Sequence, residues 1–248
     1  NTYYPGVVGY HEMLRTCSAC IFPSPYLAAV AKVMGLKAFV HRSSLSERYL
    51  RIASQMIRCS TNQDRVVVGC ISGTRTHDRD FRDASGALVR ILEKYPEVEL
   101  RVFGHLQLGP EFDHLKNRIK TVAPTSYYEM PNVISEFDIS IAPLEQSNPY
   151  CRGKSEVKYL EAAALGIPTI ASRVDPYIFA IAQGSNGLLA GSEEEWFENL
   201  ERLITSPGDR HRMGSRARDD VLLNYSSDAR AAGLTSLLQR VTLEGSQA

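Results

Sequence analysis

Along the chain, short runs of apolar and β-branched residues alternate with longer stretches in which apolar positions recur every three or four residues. In the first series, ACIFPS (19–24) predicts a strand and PYLAAVAKVMGL (25–36) a helix, with Pro25 in its first turn and Gly35 near its end. KAFVH (37–41) predicts the next strand. The polar helical stretch SLSERYLRIASQMIRC and a loop at STNQD (60–64) close the series.

A second series opens with RVVVGCISGT, a continuous apolar run of the kind that forms a strand buried on both faces. Helix FRDASGALVRILEKY follows, then strand VELRVFG, helix PEFDHLKNRI, strand KTVAP, helix YEMPNVISEF and strand DISIAPL. Helix KSEVKYLEAAALG, strand IPTIAS, a short helix at DPYIFAIA and strand NGLLAG continue the alternation. This order predicts an α/β fold with a doubly wound parallel sheet and helices on both faces. From SEEEWFENLERLI onward the pattern is helical only, with Ser192 and Glu195 spaced as a capping box.

Composition narrows the function. Of 248 residues, 44% are hydrophobic, and 28 Lys and Arg balance 28 Asp and Glu, so nothing favours a nucleic-acid partner. No apolar run reaches the roughly 18 residues of a membrane span and the start lacks a secretory pattern, which together read as cytoplasmic. A chain that begins with Asn reads as a piece of something longer. The five cysteines are scattered; Cys17 and Cys20 form a lone C-x-x-C with no second pair for a zinc site, and read as half-buried thiols rather than a redox pair. The arginines between 210 and 218 are offset by Asp209, Asp219 and Asp220 and read as a solvated helix face rather than a membrane face.

In a doubly wound sheet, ligands lie beyond the carboxyl ends of the strands. That rule selects the loops SGTRTHDRDF, GHLQLGPEF, APTS (123–126) and LEQSNPYCRGKSE. The tripeptide Gly153-Lys154-Ser155 ends many phosphate loops, but the full pattern needs a glycine at 148, where Asn148 is followed by Pro149. Proline removes an amide that would cradle phosphate, so a nucleoside-triphosphate hydrolase is not favoured. As the start of a helix the segment is more coherent: Lys154, Lys158 and Glu161 at i, i+4 and i+7 share one face. An anion would sit at the helix start and ligand hydroxyls at Glu161. Spacing alone equally allows solvated lysines with Glu161 paired to Lys158. Asp80 reads as the cap of a helix beginning near Phe81.

SEVKYLEAAALGIPTIAS resembles the second half of the E-x7-E region of retaining glycosyltransferases with the two-Rossmann-domain GT-B fold, in particular glycosyltransferase family 4. GTRTHDRDF, YPEVELRVFG, FDISIAPL, SNGLLA and Tyr225-Ser226 fall in that family's order. The resemblance implies that Glu161 binds the ribose of a nucleoside-diphosphate sugar. It also places Gly73, Thr74, Arg75 and His105 in loops bordering the donor; the helix start adds Lys154, Ser155 and Lys158, this chain offers Lys154 and Asn148 where the family's first glutamate is absent, and His77 and Lys154 are candidates for a catalytic role. One departure stands out: the family's first glutamate, eight positions before Glu161, is Gly153 here.

By the same resemblance, 1–60 would be the end of an acceptor domain with its linker, 61–226 the donor domain and 227–248 a C-terminal helix. The implied reaction moves a sugar from a nucleoside diphosphate to a saccharide or lipid-linked acceptor. It needs no bound metal and no cofactor beyond the donor, and proceeds with retention. The fragment alone would bind nucleotide and transfer sugar poorly, and the longer parent would have room for a peripheral contact at the inner membrane face. A catalytically silent nucleotide-sugar-binding module and a nucleotide-sugar epimerase of the same fold stay open as alternatives.

Overall fold

The computed structural model describes residues 10, 12–56, 65–72 and 77–245. Two parallel strands, β1 (Cys20–Phe22) and β2 (Ala38–Val40), flank helix α1 (Pro25–Val33). Ser24 caps α1 by accepting from the amide of Leu27, with Pro25 at the first helical position where no amide is needed. Helix α2 (Glu47–Gln55) follows, capped by Ser46.

The main sheet has six parallel strands: β3 (Val66–Ser72), β4 (Val98–Gly104), β5 (Ile119–Val122), β6 (Ile139–Ala142), β7 (Thr169–Ser172) and β8 (Leu188–Ala190). Their order is β5-β4-β3-β6-β7-β8, the doubly wound arrangement in which the chain reverses direction across the sheet between β3 and β6. Every residue of β3 is buried. Successive side chains alternate: Val66, Val68 and Cys70 join one core layer, while Val67 and Ile71 join the other. Gly69 is required between them, because a Cβ there would lie 2.1 Å from the Phe137 ring.

Helix α3 (His77–Lys94) packs Phe81, Ala84, Leu88 and Ile91 on the first layer. The other helices of the sheet region are α4 (Met130–Ile134), α5 (Pro149–Arg152), α6 (Val157–Ala163), α7 (Asp175–Ala180), α8 (Glu193–Thr205), α9 (Pro207–Asn224) and α10 (Ser227–Gly245). Leu45, Tyr49 and Ala53 share the second layer with Tyr159 of α6 and with Tyr225. Leu45 is also clipped to the far end of the chain: its amide donates to Tyr225 O at 2.9 Å, and Ser227 N donates to Leu45 O at 3.1 Å. Among the described residues, no helix is long and apolar enough to cross a membrane.

The alternating pattern gave the sheet correctly, and VELRVFG is strand β4 from end to end. Several local boundaries differ. Pro110–Arg118 is a 3-10 helix. Only Met130–Ile134 of the expected helix over 128–137 is helical. The α3 helix starts at His77, so Asp80 lies in its first turn rather than at its cap. Ser192 does cap α8 through the amide of Glu195, but the Glu195 carboxylate accepts from Gly191 N instead of closing the box.

Candidate functional site

The crevice at the strand-order reversal lies beyond the carboxyl ends of β3 and β6. Its far rim is built by the chain that leaves β6. Asn148 caps α5, accepting from Tyr150 N at 3.0 Å, and Pro149 occupies the first turn. One turn later Gly153-Lys154-Ser155 interrupts the helix, and α6 restarts after Glu156. Of the helix expected over 154–166, only Val157–Ala163 is helical, and a separate short helix precedes it at Pro149–Arg152. Glu156 sits at the N-cap of α6 without a capping bond; its Oε1 accepts from Arg42 Nε, and its buried Oε2 finds no hydrogen-bond partner among the described residues.

This break corrects the one-face arrangement expected for Lys154, Lys158 and Glu161. Lys158 and Glu161 do share α6, one turn apart, whereas Lys154 and Ser155 belong to the connector before it. Lys154 is nonetheless brought to the crevice: its Nζ lies 2.7 Å from Asp80 Oδ2 and 5.5 Å from the centre of the Tyr150 ring. Asn148 spends its side chain on the loop itself, donating to Glu145 Oε2 at 3.0 Å while it caps α5. Asn148 thus shapes the loop, and one amide N–H and one carbonyl lone pair of its half-buried side chain remain beyond these two bonds.

Glu161 is 4% exposed. Burial pushes its carboxyl up to about 7, opposed by the charge of Lys158. Among the described residues neither group makes a hydrogen bond or a close ion pair, so a Glu161–Lys158 salt bridge does not explain the carboxylate. Lys158 is half-buried; burial of its ammonium pulls it below the usual lysine range and Lys154 acts in the same sense, while Cys70, Asp80 and Glu161 oppose.

Two tyrosines absent from the sequence reading complete this side of the crevice. Tyr49 of α2 and Tyr127 have ring centroids 4.9 Å apart. Burial pushes Tyr127 up to about 12, with Glu161 adding to it, and pushes Tyr49 up from its ordinary value with the same contribution. The Tyr49 hydroxyl is buried and finds no hydrogen-bond partner among the described residues. Nothing in the spacing of ERYLRIAS marks Tyr49 as more than one apolar position on an amphipathic helix.

The remaining expected residues divide. His105 follows β4 with its side chain exposed, and its backbone amide donates to Ser72 O at 3.2 Å. Gly104 before it has φ 101° and no room for a Cβ, which would sit 1.8 Å from Ser72 O. Gly73, Thr74 and Arg75 lie outside the described residues, as does the side chain of His77 at the start of α3. At Gly153, where the resemblance expects a glutamate, a Cβ would come within 3.0 Å of Leu27 Cδ2 of α1.

The six-stranded doubly wound sheet thus brings two lysines and a buried carboxylate to the region of its strand-order reversal. Residues 80–236 match the family model described as glycosyl transferase-like, and the chain belongs to that family. D-inositol 3-phosphate glycosyltransferase of Corynebacterium efficiens is 35% identical over 171 residues, 63% of this chain and 38% of that protein. Spore coat protein SA of Bacillus subtilis is 24% identical over 169 residues, 62% of this chain and 44% of that protein. Anabaena HepE, solved in complex with UDP and glucose, shares the fold at a TM-score of 0.72 and 15% identity, covering 91% of this chain and 64% of that one. The chain thus spans less than half the length of these two curated relatives.

Proposed function

We propose that this chain carries the nucleotide-sugar donor site of a metal-independent, retaining glycosyltransferase of the family 4 type. The observation that carries the reading is Glu161: a carboxylate 4% exposed, without a hydrogen bond among the described residues, at the crevice of a doubly wound sheet. A buried acceptor with no protein donor is matched by the vicinal hydroxyls of a ribose. Lys154 and Lys158 supply the positive charge that a diphosphate needs, and Arg75 would add to it from the loop after β3.

In the reaction so read, the bond between the anomeric carbon and the diphosphate oxygen breaks, and a bond to an acceptor hydroxyl oxygen forms as that hydroxyl loses its proton. Charge developing on the departing diphosphate falls beside the lysines. The acceptor is a saccharide or a lipid-linked saccharide, and the latter would bring a cytoplasmic parent to the inner membrane face. Residues 1–60 are read as the end of an acceptor domain, 61–226 as the donor domain and 227–248 as a C-terminal helix.

Thermal denaturation with UDP, GDP, ADP and dTDP tests the donor site, with UDP first because HepE was solved with it. At about a hundredfold excess over the dissociation constant, the matching nucleotide should raise Tm by roughly 5–10 °C. Glu161→Ala should cancel the rise. No shift with any of the four would overturn the reading.

Gly153 favours a second reading, a module that binds the donor without transferring it. Leu27 presses on the place where a side chain would emerge, so no carboxylate from this position reaches the sugar. Nucleotide binding combined with no transfer by the full-length parent is the outcome that would select it.

A further inference from the structure

We propose that Asp80 is a positioning residue for the diphosphate, fixing the ammonium of Lys154 at the crevice while leaving two of its N–H groups free for the ligand; this rests on the donor-site reading above. Asp80 is 3% exposed in the first turn of α3, on the rim of the crevice formed after β3. A buried carboxylate is costly unless its oxygens are satisfied, and its partners show what it is for. Oδ2 accepts from Lys154 Nζ at 2.7 Å. Oδ1 accepts from Glu145 N at 3.1 Å and from Cys151 Sγ at 3.2 Å.

These three donors, the partners of Asp80 among the described residues, come from the chain that leaves β6, on the opposite rim. One carboxylate therefore ties the two walls of the crevice together at the strand-order reversal. The tie also selects a conformation for Lys154. A free lysine must give up much of its rotamer freedom when it grips phosphate; here that ordering is already made in the folded protein. The side chain of Lys154 remains 20% exposed, so its ammonium is pinned without being sealed off. Asp80 acts on the second lysine as well, since its charge favours the cationic form of Lys158 against burial.

A carboxylate beside a lysine could instead simply neutralise it and weaken its pull on an anion. The two roles predict opposite changes. The test compares Asp80→Asn, Lys154→Met and the double variant by calorimetric titration, using whichever of UDP, GDP, ADP and dTDP stabilises the wild type and its parent nucleoside. Thermal unfolding of each variant is recorded alongside.

If Asp80 positions Lys154, Asp80→Asn weakens the nucleoside diphosphate by about tenfold and leaves the nucleoside within about twofold. In the Lys154→Met background the same change then has little further effect, because the group it positions is gone. Equal loss for diphosphate and nucleoside would overturn the proposal in favour of a merely structural role. Tighter diphosphate binding by Asp80→Asn would overturn it in favour of neutralisation. A full tenfold loss in the Lys154→Met background would show that Asp80 acts through another group. If Asp80→Asn is too unstable to titrate, Lys154→Arg gives the second measure: it keeps the ion pair, and diphosphate affinity should stay within about threefold of wild type, whereas a loss as large as that of Lys154→Met would count against the pair. Should the wild type bind none of the four nucleotides, the donor-site reading itself fails and this inference with it.

Discussion

Arg42 Nε donates to Glu156 Oε1 at 3.1 Å in an ion pair whose side chains are 4% and 0% exposed. The guanidinium also donates to Pro176 O at 3.3 Å and lies 3.7 Å from the Phe179 ring centroid. Burial raises the Glu156 carboxyl from its ordinary value even though Arg42 opposes the shift. The connection joins the segment before the main sheet to the N-cap of the helix that carries Lys158 and Glu161.

Removing one member of this pair strands the other charge in the interior. Arg42→Ala should therefore destabilise the protein by about 3–5 kcal/mol, read from urea unfolding midpoints. Arg42→Met combined with Glu156→Met should cost less than either single change, since no buried charge is left. A double variant as unstable as the sum of the singles would mean that the two side chains contribute independently.

Glu161 links stability to pH in a direction that can be checked. Its folded value, about 7, stands above the ordinary 4.5, so its favourable contribution is complete below 4.5 and is lost as pH rises through about 7. Wild type should lose about 3 kcal/mol relative to Glu161→Gln across this window in the absence of ligand. Nucleotide affinity should move the other way and rise over the same window, because the ionised carboxylate is the better acceptor for ribose hydroxyls. Parallel stability profiles for wild type and Glu161→Gln would refute the linkage.

The buried hydroxyl of Tyr49 is a cost without a return in the ligand-free protein. Tyr49→Phe keeps the ring against Tyr127 and should raise stability by about 1 kcal/mol, measured by thermal unfolding. A loss of stability would reveal a partner for the hydroxyl.

Gly69→Ala places a methyl on the Phe137 ring at the centre of β3. The expected loss is about 2–3 kcal/mol, since a packed interior yields poorly to an added carbon. Adding Phe137→Leu should recover part of it, a coupling that a double-mutant cycle in urea would detect.

The sheet was readable because a parallel strand buried on both faces writes a continuous apolar run, as Val66–Ser72 and Val98–Gly104 do. Helix starts were less readable. His77 begins α3 although Asp80 has the side chain expected of a cap, because Asp80 faces Lys154, 74 positions further on, and no local pattern encodes that pairing. The break at Gly153-Lys154-Ser155 was hidden by lysines and a glutamate at helical spacing. Tyr49, Tyr127 and Arg42 were missed for a related reason: each joins the site or its supports through the fold, Tyr49 from an ordinary amphipathic helix, Tyr127 and Arg42 from irregular segments without a periodic pattern. Lys158 and Glu161 were found because they lie within one short helix, where sequence spacing is also spatial spacing.

Leu45 and its bonds to Tyr225 and Ser227 give the six strands a single doorway, since all of them lie between those positions. Mechanically the sheet is a loop held shut at its neck. Tension applied to residues outside the neck would load that clip together with the Arg42–Glu156 pair, and draw Leu45 and Tyr225 out of a shared core, before it pulled on the strands themselves.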